Sequence, residues 1–280
     1  MTLRQTSVIT GANSGIGLAT AKLMAQQGYS VITICRNKEE GDRLAQELMK
    51  LNPSIHAENI EADLSDFESL RKAVNEILLR YTIIDRVINN AGYYPTKIEY
   101  IQDIEKTLYT SHLGHMLLTM LLMPALQRSN DARIINVSSG LHARGKISRF
   151  FIRTNNKNLT LAYADAKFAN ILFTMALSTR LPENITAYSL HPGVVITNFQ
   201  RNLTGSFKIL ALIFKPIFIT PEKGAFTSLY LVNEDINKLK LYSGGCFAKN
   251  KLVSKRNVES TDINATWMWN RSMEILTQYL

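Results

Sequence analysis

Thr10-Gly11-Ala12-Asn13-Ser14-Gly15-Ile16-Gly17 follows a short β-branched run, Ser7 to Thr10, and opens an apolar-periodic stretch that continues to Gln27. Strand, glycine turn and helix in that order are what a phosphate-binding turn requires. Glycines let the backbone turn tightly and approach a pyrophosphate, and the helix amino terminus that follows meets its charge. Working outward, Ser30 to Cys35 reads as a second strand. Residues 38–51 read as a charged helix with Leu44, Leu48 and Leu51 on one face, and residues 55–62 as a third strand. A helix over 66–80 and a strand over 84–88 repeat the unit. Later strands are expected at 133–137, 186–190 and 245–248, with helical stretches around 103–128, 163–181 and 221–233. This alternation predicts an α/β fold. It is a doubly wound parallel sheet of about seven strands with helices on both faces, in one domain over 1–280. A ligand in such a sheet lies beyond the carboxyl ends of the strands, where the glycine turn sits.

The 280 residues include 32 Lys plus Arg against 23 Asp plus Glu, a net charge of +9. With 46% hydrophobic and 20% charged residues, the composition is globular and excludes a disordered or fibrous chain. Two cysteines, Cys35 and Cys246, far apart and outside any Cys/His cluster, give neither a disulfide framework nor a zinc site, so no metal is expected. Three windows, 132–164, 184–221 and 236–258, contain no acidic residue yet hold fifteen of the basic ones, and the remainder is net acidic. No nucleic-acid reading module accompanies them. The charge therefore reads either as a solvated face or as a field around a ligand mouth that draws in phosphates. The segment Met1 to Gln5 lacks a secretory pattern, which gives the expectation of a cytoplasmic protein. The longest apolar stretches, 116–126 and 207–219, are shorter than the roughly 20 residues of a membrane span. The second either closes over an apolar pocket or lies on a membrane surface as a peripheral contact.

Four more motifs follow the glycine turn in order. They are Asp63-Leu64, Asn89-Asn90-Ala91-Gly92, Ser139 ahead of Tyr163-Ala164-Asp165-Ala166-Lys167, and His191-Pro192-Gly193-Val194-Val195-Ile196-Thr197. Together with the Gly11-xxx-Gly15-x-Gly17 spacing they resemble the short-chain dehydrogenases/reductases over residues 10 to 197. The run after Lys167 and the His112-Leu113-Gly114-His115 segment are similar to the retinol dehydrogenase and WW-domain oxidoreductase branch. The resemblance implies a Rossmann fold, with residues 1–137 mainly dinucleotide-binding and 138–280 forming the catalytic and substrate half. It assigns cofactor contacts to Gly11, Asn13, Ser14, Gly15, Ile16, Gly17, Asp63, Leu64, Asn89, Ala91, Gly92, Tyr163, Lys167, Pro192, Gly193, Val195 and Thr197. It also implies a homo-oligomer, for which the Met- and Leu-rich helix 116–126 is the candidate contact.

Positions four apart on a helix share a face, so Tyr163 and Lys167 point the same way. A fixed ammonium beside the phenol is expected to lower its pKa, making Tyr163 the general acid or base at a carbonyl or alcohol. Ser139 would hydrogen-bond the oxygen on which charge develops. The hydride comes from the cofactor, so the chemistry needs no metal. Arg36, at the end of the second strand, occupies a place where an acid would bind a ribose 2′-hydroxyl. Arg36, with Lys38 as helper, suits a 2′-phosphate, which favours NADP(H) over NAD(H). One position departs from the family pattern: Ser111 stands where the family has an Asn that holds a water, so Ser111 is counted with the catalytic set while the proton relay stays open. His112 and His115 read as helix-packing residues. The variable walls contain Tyr93, Tyr94, Phe150, Phe151, Phe199, Phe207, Leu210, Leu212, Ile213 and Phe214. Of these, Tyr94, Phe150 and Phe199 are taken as substrate contacts. Arg144, Lys146, Arg149 and Arg153 beside them leave room for an acidic group on the substrate or an anionic surface. The expectation is an NADP(H)-dependent oxidoreductase for a hydrophobic aldehyde or ketone and its alcohol. The alternative is a cofactor-binding regulatory or scaffold protein with little turnover.

Overall fold

In a computed structural model of the chain, residues 4–153, 158–193, 219–254 and 257–280 are described. Strands β1 (Thr6–Thr10), β2 (Ser30–Cys35), β3 (Ala57–Glu61) and β4 (Arg86–Asn89) alternate with helices α1 (Gly15–Gln26), α2 (Lys38–Leu51) and α3 (Phe67–Arg80). A two-stranded hairpin, β5 (Tyr100–Ile101) and β6 (Ile104–Glu105), leads into the short α4 (Lys106–Leu108), a π-helical turn over Tyr109–Leu113 and α5 (Gly114–Leu126). There follow β7 (Ala132–Val137), α6 (Leu159–Ser178), β8 (Ile185–Leu190), α7 (Pro221–Asn233), α8 (Ile236–Leu239), β9 (Cys246–Ala248), β10 (Lys251–Val253) and α9 (Asp262–Leu276).

Among the described residues the main sheet has eight strands in the order β10-β9-β8-β7-β4-β1-β2-β3. The expected parallel sheet of about seven strands is present and carries one further edge strand. β10 pairs antiparallel with β9, and Lys249 and Asn250 turn between them at φ 50 and 60. Nothing in the alternating pattern flagged so short an edge. All other pairings in the sheet are parallel. The chain runs outward from β1 to β2 and β3, then returns to place β4 on the other side of β1. The carboxyl ends of β1 and β4 therefore diverge into a crevice, as at the switch point of any doubly wound sheet.

Burial on both faces explains the near-continuous apolar strands. One core, containing Val8, Ile32, Val87 and Ile134, packs under α3, α5, α6 and α9; the other, containing Ile9, Val31, Ile88 and Ile135, packs under α1, α2, α7 and α8. Helix starts follow local capping chemistry. The side chains of Asn37, Asp66 and Asn158 accept from Glu40 N, Ser69 N and Leu161 N at 3.0 Å each. The Asn158 cap explains why α6 begins ahead of the expected 163.

The expected single helix over 103–128 is broken instead. Gln102 and Asp103 take φ 48 and 62 to make the β5–β6 hairpin. The π turn then offsets the ladder before α5. At the opposite end of the sheet from the crevice, Arg86 and Arg133 are 2% and 3% exposed. Both share Asp131, and they donate to the α7 carbonyls of Val232 and Leu231 at 3.1 and 2.9 Å. No helix among the described residues is long and apolar enough to cross a membrane.

Candidate active site

The glycine turn, the Asn90–Gly92 turn, Ser139 and Pro192 follow β1, β4, β7 and β8, at the carboxyl ends of four strands. The first two are fitted closely. Gly11 and Gly15 have φ +62 and +55, which a side chain would strain. A methyl group on Gly17 would lie 2.4 Å from both Asn90 Nδ2 and the Gly11 carbonyl, and one on Gly11 would lie 2.9 Å from Ala91 Cα. Asn90 Nδ2 donates to the Thr10 carbonyl at 2.9 Å and the Gly11 carbonyl at 3.3 Å, so its side chain forms the bridge between the two turns. Ser14, at the cap position of α1, makes no side-chain cap hydrogen bond, and the first turn carries no acid. This turn has the shape and charge to take a dinucleotide pyrophosphate.

Further along the crevice, Arg36 is exposed and lies 4.0 Å from Asp63 Oδ2. Lys38, by contrast, donates to Asp42 at 2.6 Å, so its charge is already partnered along α2 and the helper role expected of it is weakened. Asn13 Nδ2 donates to Glu40 at 2.7 Å, and Ile16 is half-buried just inside α1. Gly193 takes φ +96 against Ile219. Two residues expected to contact a cofactor have side chains that face away from the crevice. The Asn89 side chain is fully buried and donates to Thr119 Oγ1 at 2.9 Å and Asn136 Oδ1 at 2.8 Å, tying β4 to α5 and β7 rather than facing the crevice. Leu64 is 6% exposed and points into the core, its carbonyl packed on Gly114.

Ser139, Tyr163 and Lys167 converge beside Gly92. Lys167 Nζ lies 5.7 Å from the centre of the Tyr163 ring and donates to the Val137 carbonyl at 2.9 Å. A methyl group on Gly92 would reach to 3.5 Å from that nitrogen. Burial pushes the Tyr163 phenol up to about 12, a hydrogen bond with Ser139 opposes the shift, and the nearby Tyr94 adds to it. Burial lowers the Lys167 ammonium to about 8. The expectation that Lys167 depresses the phenol is therefore corrected for this arrangement. Desolvation is the larger effect on both groups, and Ser139 is the neighbour that favours the phenolate.

Tyr94 lies with its ring centre 5.3 Å from that of Tyr163, and its hydroxyl is 3.1 Å from Thr160 Oγ1. It therefore stands directly beside Tyr163. Phe150 does not. At 1% exposure it packs edge-on against Phe168 in the core, and this overturns its reading as a substrate contact. Phe199, Val195, Thr197 and the apolar 207–214 stretch lie outside the described residues.

Ser111 sits in the π turn, is 1% exposed and accepts from Tyr93 N at 3.3 Å. Two of the basic residues ahead of Tyr163 are spoken for: Arg149 pairs with buried Asp165 at 2.5 Å, and Arg153 pairs with Asp103 at 2.8 Å. Thr10, Asn90, His115 and Asp165 were not singled out as functional by sequence. All four lie inside sequence motifs, but the hydrogen bonds that give them a role join distant parts of the chain.

The family model described as short chain dehydrogenase matches residues 5–206. The chain belongs to the short-chain dehydrogenase family. This member is 36% identical to "Retinol dehydrogenase 12" of Mus musculus over 276 residues, covering 96% of this chain and 85% of that protein. It is 35% identical to "Retinol dehydrogenase 11" of Homo sapiens, with the same coverage of both chains. Among solved structures, this short-chain dehydrogenase superposes on an uncharacterized protein from Mycobacterium paratuberculosis with a TM-score of 0.76. The identity there is 28%, with 98% of this chain and 93% of the other covered. Its relatives place it on the retinol dehydrogenase branch of the family.

Proposed function

We propose that the protein is an NADP(H)-dependent oxidoreductase that interconverts a hydrophobic aldehyde or ketone and its alcohol, with a retinoid-like substrate favoured by the names of its relatives. The observation that carries this reading is the convergence of Ser139, Tyr163 and Lys167 beside Gly92 at the mouth of the crevice. The nicotinamide, when bound, supplies or accepts the hydride. The chain's own residues do the rest. Gly11, Gly15, Gly17 and the start of α1 hold the phosphates; Asn13, Ser14, Ile16, Asp63, Ala91, Gly92, Pro192 and Gly193 border the crevice that receives the remainder. Ser139 donates to the substrate oxygen and fixes it against the Tyr163 hydroxyl, which gives or takes the proton at that oxygen. Lys167 places a positive charge under the site that attracts the negative charge developing on the substrate oxygen, while Ser139 is the neighbour that favours the phenolate. Tyr94 supplies an apolar, edge-polar wall. An assay of NADPH oxidation against a panel of apolar aldehydes tests the reading, and absence of turnover on every member would count against it.

Two outcomes follow. Arg36 stands exposed at the carboxyl end of β2 with only a 4.0 Å contact to Asp63. A guanidinium–phosphate hydrogen bond is worth about 1.5–3 kcal/mol, so Arg36→Ala is expected to raise the KM for NADPH about ten- to a hundredfold and leave that for NADH within about twofold. Equal effects on both would refute the 2′-phosphate assignment. The second concerns pH. Lys167 is charged below and neutral above about 8, so kcat/KM is expected to fall as pH rises through about 8 in the free enzyme. A profile flat to pH 10 would show that the ammonium charge is not used.

A further inference from the structure

His115 is 1% exposed on α5 and lies between two turns of the crevice. Its Nδ1 is 2.9 Å from the Ser111 carbonyl, and its Nε2 is 2.9 Å from Thr10 Oγ1. The same Thr10 oxygen accepts from Asn90 N at 3.0 Å and Ala91 N at 2.9 Å. A carbonyl can only accept, so Nδ1 carries the ring proton. Burial and the nearby Lys167 charge hold the ring neutral, with its pKa lowered to about 3. Nε2 is then a bare acceptor, and the single proton of the Thr10 hydroxyl goes to it. Both lone pairs of that oxygen are left facing the two backbone N–H groups. Every donor and acceptor in the chain Asn90/Ala91 to Thr10 to His115 to Ser111 is satisfied in this one arrangement.

We infer that His115 is a positioning residue for cofactor binding, one that fixes the Thr10 hydroxyl proton and thereby clamps the Asn90–Gly92 turn against the glycine turn. Without an acceptor at Nε2, the Thr10 proton is either left unpartnered in a buried site or turned toward the N–H groups; Asn90 N keeps the Ile88 carbonyl at 3.0 Å, so it is Ala91 N that loses its acceptor. The turn then moves away from Gly11, on which Ala91 is already packed to the limit a glycine allows. Gly92, next along, borders Lys167. The inference rests on the dinucleotide reading of the crevice.

The test is NADPH binding, followed by the fluorescence of the reduced nicotinamide, in wild type and three variants. A glutamine carbonyl reaches about where Nε2 lies, whereas an asparagine amide reaches only the Nδ1 position. His115→Gln is therefore expected to keep Kd within about twofold. His115→Asn and His115→Phe are expected to raise it about five- to tenfold. Leu122→Ala, a buried truncation on the same helix, is expected to lower the thermal midpoint without moving Kd. Should His115→Phe fail to fold, the Gln and Asn pair decides. If Gln and Asn bind NADPH equally, or if all variants bind like wild type while losing only thermal stability, the inference is overturned and the dinucleotide reading stands. Wild-type protein that binds neither NADPH nor NADH overturns both.

Discussion

Tyr163→Phe is expected to reduce kcat about 10²- to 10⁴-fold while leaving the Kd for NADPH within about twofold. The phenol hydrogen-bonds Ser139, its ring is tilted against Tyr94 at 5.3 Å, and Lys167 Nζ lies 5.7 Å from the ring centre. Removing a single oxygen takes away the proton donor and keeps the ring that packs the site. Burial works against the phenolate, with the group pushed up to about 12, so the phenol keeps its proton until charge develops on an oxygen held beside it and Ser139. Steady-state kinetics with the best apolar aldehyde, set beside a fluorescence titration of NADPH, measures both quantities. A variant with undiminished turnover would remove Tyr163 from the mechanism. If wild type and variant bind NADPH equally and neither turns over any carbonyl, the protein is a dinucleotide-binding regulator, the reading that Ser111 in place of the family's Asn suggests.

Asp165→Ala is expected to cost about 3–5 kcal/mol and to lower the thermal midpoint by roughly 10 °C. Asp165 lies between Tyr163 and Lys167 but on another face of α6, fully buried. Its carboxylate accepts from Arg149 Nε at 2.9 Å, Arg149 Nη2 at 2.5 Å and Lys146 N at 3.0 Å. The same stretch is held from the carboxyl-terminal side. Asn257 donates to the His142 and Gly145 carbonyls at 2.9 and 2.7 Å, and Glu259 accepts from Ile147 N at 2.8 Å. Removing the carboxylate takes away the buried counter-charge of Arg149 and loosens the segment that follows Ser139. Thermal unfolding followed by circular dichroism checks the size, and Arg149→Met in the Asp165→Ala background should recover part of the loss. A midpoint within 2 °C of wild type would show that the pair contributes nothing net.

The parts of the site that were legible from the sequence are those fixed by local backbone chemistry. A glycine turn after a strand, an Arg at a strand end and a Tyr four residues before a Lys on one helix carry their geometry with them, because period and φ are local properties. Phe150 failed for the opposite reason. Aromatic content marks a wall or a core equally well, and only the edge-on contact with Phe168 decides. Asn89 and Asn90 are adjacent and identical in kind, yet strand alternation sends one side chain into the sheet and the other onto the glycine turn. The basic windows changed meaning in the same way. Arg133, Arg149 and Arg153, three of the basic residues in 132–164, are held by Asp131, Asp165 and Asp103, so much of that charge is structural rather than offered to a ligand.

The sequence by itself determined the doubly wound sheet, its family and the crevice at the ends of β1 and β4. Alternating periods and an ordered set of turns leave few other ways to bury two faces of one sheet. Tertiary structure alone decided which groups act on one another. The coupling of Thr10 to His115 spans 105 positions, and the pinning of the Ser139 segment by Glu259 spans 112. The protonation of Tyr163, Lys167 and His115 follows from burial, and burial is a property of the assembled fold that no local spacing encodes.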